Sequence, residues 1–238
     1  MYKRGSHVGV MLSFVIFVTF LVFLYSVLEP VTQVERDKQF LLDYLKIELT
    51  KMSSTNLTSV TISINDSYDL SSKDCLRISH VSEVGGLNSI VKNENNTPIN
   101  FQSSTNNIEW EHDNKRFFKI YYSEEQFTNF QIGLNGCLGP KEDEDYSIKL
   151  IKIDRYIFET KINSIATEHQ NKYGALKGKL KIPIGSEFSF SLINSSRDII
   201  AKTEEKDISV NIYVDEISIQ YIDEEANINS GFLIIKVW

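Results

Sequence analysis

The chain is poor in the residues that enzymes and metalloproteins usually rely on. Its 238 residues include only two cysteines, four histidines and four prolines. His7, His80, His112 and His169 lie far apart, with no HExxH pair and no Cys/His grouping at zinc spacing. No GxSxG elbow and no GxxxxGK[ST] loop occurs. The stretch GLNGCLGP (133–140) has glycines but no following Lys-Ser/Thr, so it reads as a turn rather than a phosphate cradle. A thiol nucleophile at Cys137 would need a histidine that the sequence does not place beside it. Glu111-His112-Asp113 reads as a solvated turn. Positive charge is also lacking: 25 Lys and Arg stand against 32 Asp and Glu, a net charge of -7. That balance argues against the basic stripe a nucleic-acid partner requires. The expectation is a protein that is not an enzyme and holds no cofactor and no metal. Calcium is the one ligand left open. Glu142–Asp145 (EDED) and Asp223–Asn229 (DEEANIN) gather oxygen donors without EF-hand spacing, and a solvated acidic hairpin is the plainer reading.

What the chain does have is a long apolar run near its start. No residue from Val8 to Leu28 is charged. At about 1.5 Å per residue a helix of this length spans roughly 30 Å, the hydrocarbon thickness of a bilayer. A cleavable secretory signal has a shorter apolar region followed by small residues, whereas this run ends Leu24-Tyr25-Ser26-Val27-Leu28-Glu29-Pro30. The reading is a retained transmembrane helix over 6–29 that meets membrane lipid through residues 8–28. Tyr25 falls at the interface and Glu29-Pro30 at the exit into water. Lys3 and Arg4 precede the run, while mixed charges follow it, so the N-terminus is expected in the cytoplasm and everything after Pro30 outside.

Residues 30–53 read as an amphipathic helix. Val31, Val34, Leu41, Leu42, Leu45, Leu49 and Met52 form an apolar stripe at spacings of three and four, and charges fill the other faces. Pro30 either opens this helix or kinks a continuous one. The cluster Ser53-Ser54-Thr55-Asn56 is expected to break it. A soluble head is expected to begin at about residue 54.

Beyond Thr55 the period changes to two. Ser59–Ile64, Arg116–Tyr122, Ser147–Ile153, Lys177–Ile184, Glu187–Ile193, Asp207–Val214, Glu216–Ile222 and Gly231–Trp238 alternate apolar with polar residues or are rich in aromatics, as half-buried strands do. One helix is expected from Lys161 to near Gly174. The fold class is therefore α+β: a transmembrane helix continuing into an amphipathic one, then a mainly antiparallel, sandwich-like extracytoplasmic domain over 54–238. Gly139–Asp145 is kept as a loop inside that domain. The terminal strand is expected to dock into a sheet, so that deleting it destabilises the head.

Cys75 and Cys137, an even pair on the outer side, suggest one disulfide. Four N-x-[ST] sequons, at Asn56, Asn65, Asn95 and Asn194, are candidate glycosylation sites compatible with export.

The head of the chain, Lys3-Arg4-Gly5 followed by Ser6-His7 and the apolar run, resembles the class III signal of type IV pilins and archaeal pilin-like proteins. In that family a prepilin peptidase cuts after the glycine and the apolar helix is kept. The resemblance implies processing between Gly5 and Ser6, residues 1–5 as a cytoplasmic leader, and like subunits as filament partners. The glutamate that many type IV pilins carry five residues past the cut is replaced here by Val10, a departure more usual in the archaeal branch. The function expected is a structural cell-surface subunit or a membrane-anchored scaffold or adhesion protein. The alternative is a type II single-pass envelope module that binds a glycan, solute or protein without forming filaments.

Overall fold

The computed structural model describes residues 7–79, 88–128, 133–205 and 211–238. The first element is one 47-residue helix, α1 (His7–Ser53), which runs on through Pro30 despite the missing backbone donor there. Over Gly9–Val27 no part of it is covered by the rest of the protein, and this stretch is long and apolar enough to cross a membrane. Its last third changes character. Leu41, Leu42, Leu45 and Leu49 are buried, while Phe40 and Ile47 face outward. Spacings of three and four place the four leucines on one stripe, and each contributes about 1.5–3 kcal/mol by leaving water.

The helix passes into the sheet without a loop. Ser53 Oγ donates to the Leu49 carbonyl at 2.7 Å, and Ser54 Oγ donates to the Thr50 carbonyl at 2.6 Å. These hydroxyls satisfy carbonyls that a helix end leaves open. The expected breaker at residues 53–56 is thus the helix end and the opening of strand β1 (Ser54–Ile64).

The following elements are β2 (Cys75–Ser79), β3 (Asn88–Asn93), β4 (Phe101–Ser103), β5 (Asn107–Glu111), β6 (Phe117–Ser123), β7 (Tyr146–Phe158), α2 (Glu159–Asn171), α3 (Tyr173–Lys179), β8 (Phe188–Asn194), β9 (Ile199–Lys202), β10 (Tyr213–Ile222) and β11 (Ile228–Val237). Among the described residues, eight strands form one curled, open sheet in the order β3-β6-β1-β7-β10-β11-β8-β9, and β2-β5-β4 form a second, small sheet. All pairings are antiparallel except β7 with β10. Those two strands run parallel and meet only at Tyr221–Ile157 and Ile222–Phe158. The result is a half-barrel with helices, not a closed sandwich.

Two apolar clusters fill it. The first lies between β1, β3, β6 and the small sheet, around Val60, Ile120, Tyr122 and Trp110. The second lies between β8, β10, β11 and the three helices, and includes the four α1 leucines with Leu176, Phe190, Leu233 and Ile235. The turn from β10 to β11 links the halves. Ile222 and Ala226 belong to the first cluster, and Thr128 N donates to the Glu224 carbonyl at 2.7 Å.

Several expectations need correction. Lys177–Ile184 was expected as a strand, but its first residues complete α3 and the rest forms a turn. The Lys-x-Lys alternation mimics a strand, yet Leu176 and Leu180, four apart, both bury against the second cluster, and that spacing is helical. The expected helix from Lys161 is α2, which begins two residues earlier. The strands β2, β3, β4, β5 and β9 were not anticipated. Part of the expected strand Asp207–Val214 lies outside the described residues, and β10 begins at Tyr213.

Candidate functional site

The expected site residues fall in several places. Gly5 and Ser6 lie outside the described residues, as does His80. Cys75, the first residue of β2, is joined to Cys137 by a disulfide across a sequence separation of 62. The bridge ties the small sheet to the 133–140 segment, where the Leu138 N–H donates to the Cys75 carbonyl at 2.8 Å. Closing a loop of this length is worth up to about 4 kcal/mol in the chain-entropy model. Replacing both cysteines by serine is therefore expected to lower the urea midpoint measurably, with a steeper slope because the uncrosslinked denatured chain exposes more surface.

The sequons differ in setting. Asn56, on β1, and Asn95, in the turn after β3, are exposed. The Asn65 amide donates to the Glu144 carbonyl at 2.5 Å. Asn194 is held at both ends by Asp198, accepting from its N–H at 2.8 Å and donating to its carboxylate at 3.0 Å.

In both acidic segments a carboxylate braces its own turn. The Asp145 carboxylate accepts from the Lys141 N–H at 2.9 Å within the turn before β7. The Asp223 carboxylate accepts from the N–H groups of Glu225 and Asn227 and from the side-chain amides of Asn227 and Asn229. Among the described residues, no three His, Cys, Asp or Glu side chains are gathered as a metal site. His112 and His169 are both buried, in different parts of the molecule. His112 Nε2 is 2.6 Å from the Lys73 carbonyl and its Nδ1 accepts from the Asn114 N–H at 3.0 Å. His169 packs edge-on against Tyr173 and Phe188, with its Nε2 3.1 Å from the Phe188 carbonyl. Both imidazoles serve structural contacts.

Two clefts flank the lower part of α1. One, about 580 Å³, lies where α1 enters β1; Lys51, Arg155, Lys161 and Lys179 line it with Glu48 and Glu124. Arg155 there donates to the Lys51 carbonyl at 3.3 Å. The other, about 660 Å³, lies between α1 and the turn after α3. Its walls are Phe40, Leu41, Tyr44 and Pro183, and its polar rim is Asp37, Lys38, Lys181 and Ser186. Ile184, beside Pro183, is fully exposed.

Lys38 holds this second cleft in shape. Its Nζ donates to Ser186 Oγ at 2.8 Å and to the Trp238 carbonyl at 2.9 Å. Burial lowers its pKa, and Glu187 partly offsets that. The neighbouring strand end is locked by Tyr173 donating to Glu187, by Lys177 paired with Glu187 at 3.0 Å, and by the reciprocal backbone bonds of Glu187 and Trp238. Burial and the Glu187 bond both raise the Tyr173 pKa, so the phenol stays protonated as a donor. Neither cleft was legible in the sequence, because each joins α1 to segments far along the chain. An apolar wall with a few fixed polar groups is the usual make-up of a small-molecule site. It is chemically suited to holding an amphipathic ligand.

Compared with known proteins, the chain matches no family model, no curated sequence and no solved structure.

Proposed function

We propose that the protein is a single-pass, membrane-anchored module that displays a β-rich binding head outside the cytoplasmic membrane, with the N-terminus inside. One observation carries this reading. α1 is continuous from an apolar, uncovered stretch of membrane-spanning length to a face of four leucines packed in the head. The anchor is thus mechanically joined to the head. About ten residues, or roughly 15 Å of helix, separate Val27 from the cleft at Asp37. The ligand site is that cleft, and its ligand has an apolar body seated on Phe40, Tyr44 and Pro183 and an anionic end near Lys181. The test is titration of the detergent-solubilised full chain with anilinonaphthalene sulfonate, a probe with that chemistry. Saturable binding that Tyr44→Ala weakens at least tenfold supports the site. Binding that is absent, or unchanged by the substitution, contradicts it.

A second reading, a pilin-like subunit, is favoured by the same uncovered apolar stretch, which is free to pack between copies. It requires cleavage after Gly5. A mature chain starting at Ser6 after co-expression with a prepilin peptidase supports it, and an intact Met1 removes it.

A further inference from the structure

Lys92 is fully buried on β3, a costly place for an amine. Its Nζ contacts Asn227 Oδ1 at 2.7 Å, across a sequence separation of 135. The same carboxamide is held from its other side. Asn227 Nδ2 donates to Asp223 Oδ2 at 2.9 Å, and the Asn227 N–H donates to Asp223 Oδ1 at 2.8 Å. The amine, the carboxamide and the carboxylate form one line, and Nζ sits against the oxygen bonded to Cγ. The Tyr121 ring closes the amine's other side, with its centroid 5.4 Å from Nζ.

From this geometry we propose that Lys92 and Asn227 form an intramolecular amide cross-link between β3 and the β10–β11 turn. In the reaction the neutral Lys92 amine attacks Asn227 Cγ, forming the new C–N bond, and the carbonyl electrons move to Oδ1. The proton lost by Nζ is taken up by Nδ2, which Asp223 Oδ2 contacts at 2.9 Å. The tetrahedral centre collapses, the Cγ–Nδ2 bond breaks and ammonia leaves. Amine plus carboxamide gives amide plus ammonia, with no oxidant, cofactor or activated co-reactant. Asp223 touches the leaving nitrogen and is the catalytic residue; Lys92 is the nucleophile.

Two further features suit the chemistry. Burial lowers the Lys92 pKa to about 8, with Asp223 and Glu225 pulling it up and Lys119 down, so a usable fraction of the amine is neutral near pH 7. Fixing the reactants in one fold replaces a bimolecular encounter with a unimolecular step, which makes up for the poor reactivity of an amide. The link would tie edge strand β3 of the large sheet to the β10–β11 turn.

The test is peptide mapping of the reduced full chain purified from membranes and digested with trypsin. The expected result is a branched peptide joining the Lys92 and Asn227 segments, lighter than their sum by one ammonia, about 17 Da, with no cleavage after Lys92. A linear peptide ending at Lys92, in full yield beside an unmodified Asn227 peptide, overturns the proposal. Asp223→Ala separates chemistry from folding. It is expected to keep the Cys75–Cys137 bridge and a cooperative melt while yielding only linear peptides. Full cross-linking in that variant overturns the role of Asp223. Lys92→Arg, which keeps the charge and the hydrogen bond, is expected to give no branched peptide, and a branched product persisting there overturns the assignment of the nucleophile.

Discussion

A fragment beginning at residue 35 is expected to fold as a soluble head with a cooperative urea transition, whereas one beginning at residue 54 is expected to show none. The difference is the last third of α1. Leu41, Leu42, Leu45 and Leu49 are buried in the second cluster against Leu233, Ile235 and Val237 of β11 and Ile157 of β7. Losing one such leucine costs about 2–5 kcal/mol, and four together, about 8–20 kcal/mol, are comparable to the whole 5–15 kcal/mol by which a domain is typically stable. The shorter fragment also loses the Lys38 bonds to Ser186 and Trp238, which close the end of the cluster. The pair Lys46–Asp215, 2.5 Å apart but partly exposed, adds little to this count. Circular dichroism during urea titration of both fragments decides the matter. A cooperative transition in the 54–238 fragment would show that the helix is only a tether.

Gly231→Val is expected to be the most damaging single substitution in the sheet. Gly231 lies on β11, between β10 and β8. A Cβ there would sit 2.4 Å from the Ile193 carbonyl oxygen and 3.1 Å from Tyr221 Cε1. The first contact is backbone, held by the β8–β11 ladder, so no side-chain rotation relieves it. Overpacking of this kind costs about 3 kcal/mol or more. In a chain of this size that lowers the melting temperature by roughly 6–12 °C. Differential scanning fluorimetry against Ser230→Ala, a neighbour on the same strand, measures it. A shift no larger than the control's would mean the strands separate there without cost.

The sequence carried these features unevenly, for physical reasons. The long apolar helix was legible because length and the absence of charge are one-dimensional properties. β1, β6, β7, β8, β10 and β11 were legible in whole or part because half-buried strands alternate. β2 to β5 were not, being short strands in a small sheet whose burial depends on a partner far along the chain. At α3 local pattern and tertiary packing disagreed, and the burial of Leu176 and Leu180 decided for the helix. The apolar stripe on α1 was plain in the sequence, but not that it completes the head's core. For the same reason the clefts and the Lys92–Asn227–Asp223 line appear only once segments distant in sequence are brought together.

The central claim is that a retained helix holds this head outside the cytoplasmic membrane. It is tested most directly with a Glu204→Cys variant, since Glu204 is exposed and both native cysteines are bridged. Intact cells are treated with a membrane-impermeant maleimide, and their membranes are then washed with alkaline carbonate. The account predicts a labelled chain that stays with the membrane pellet. A chain labelled only after permeabilisation, or one released by carbonate, would contradict it.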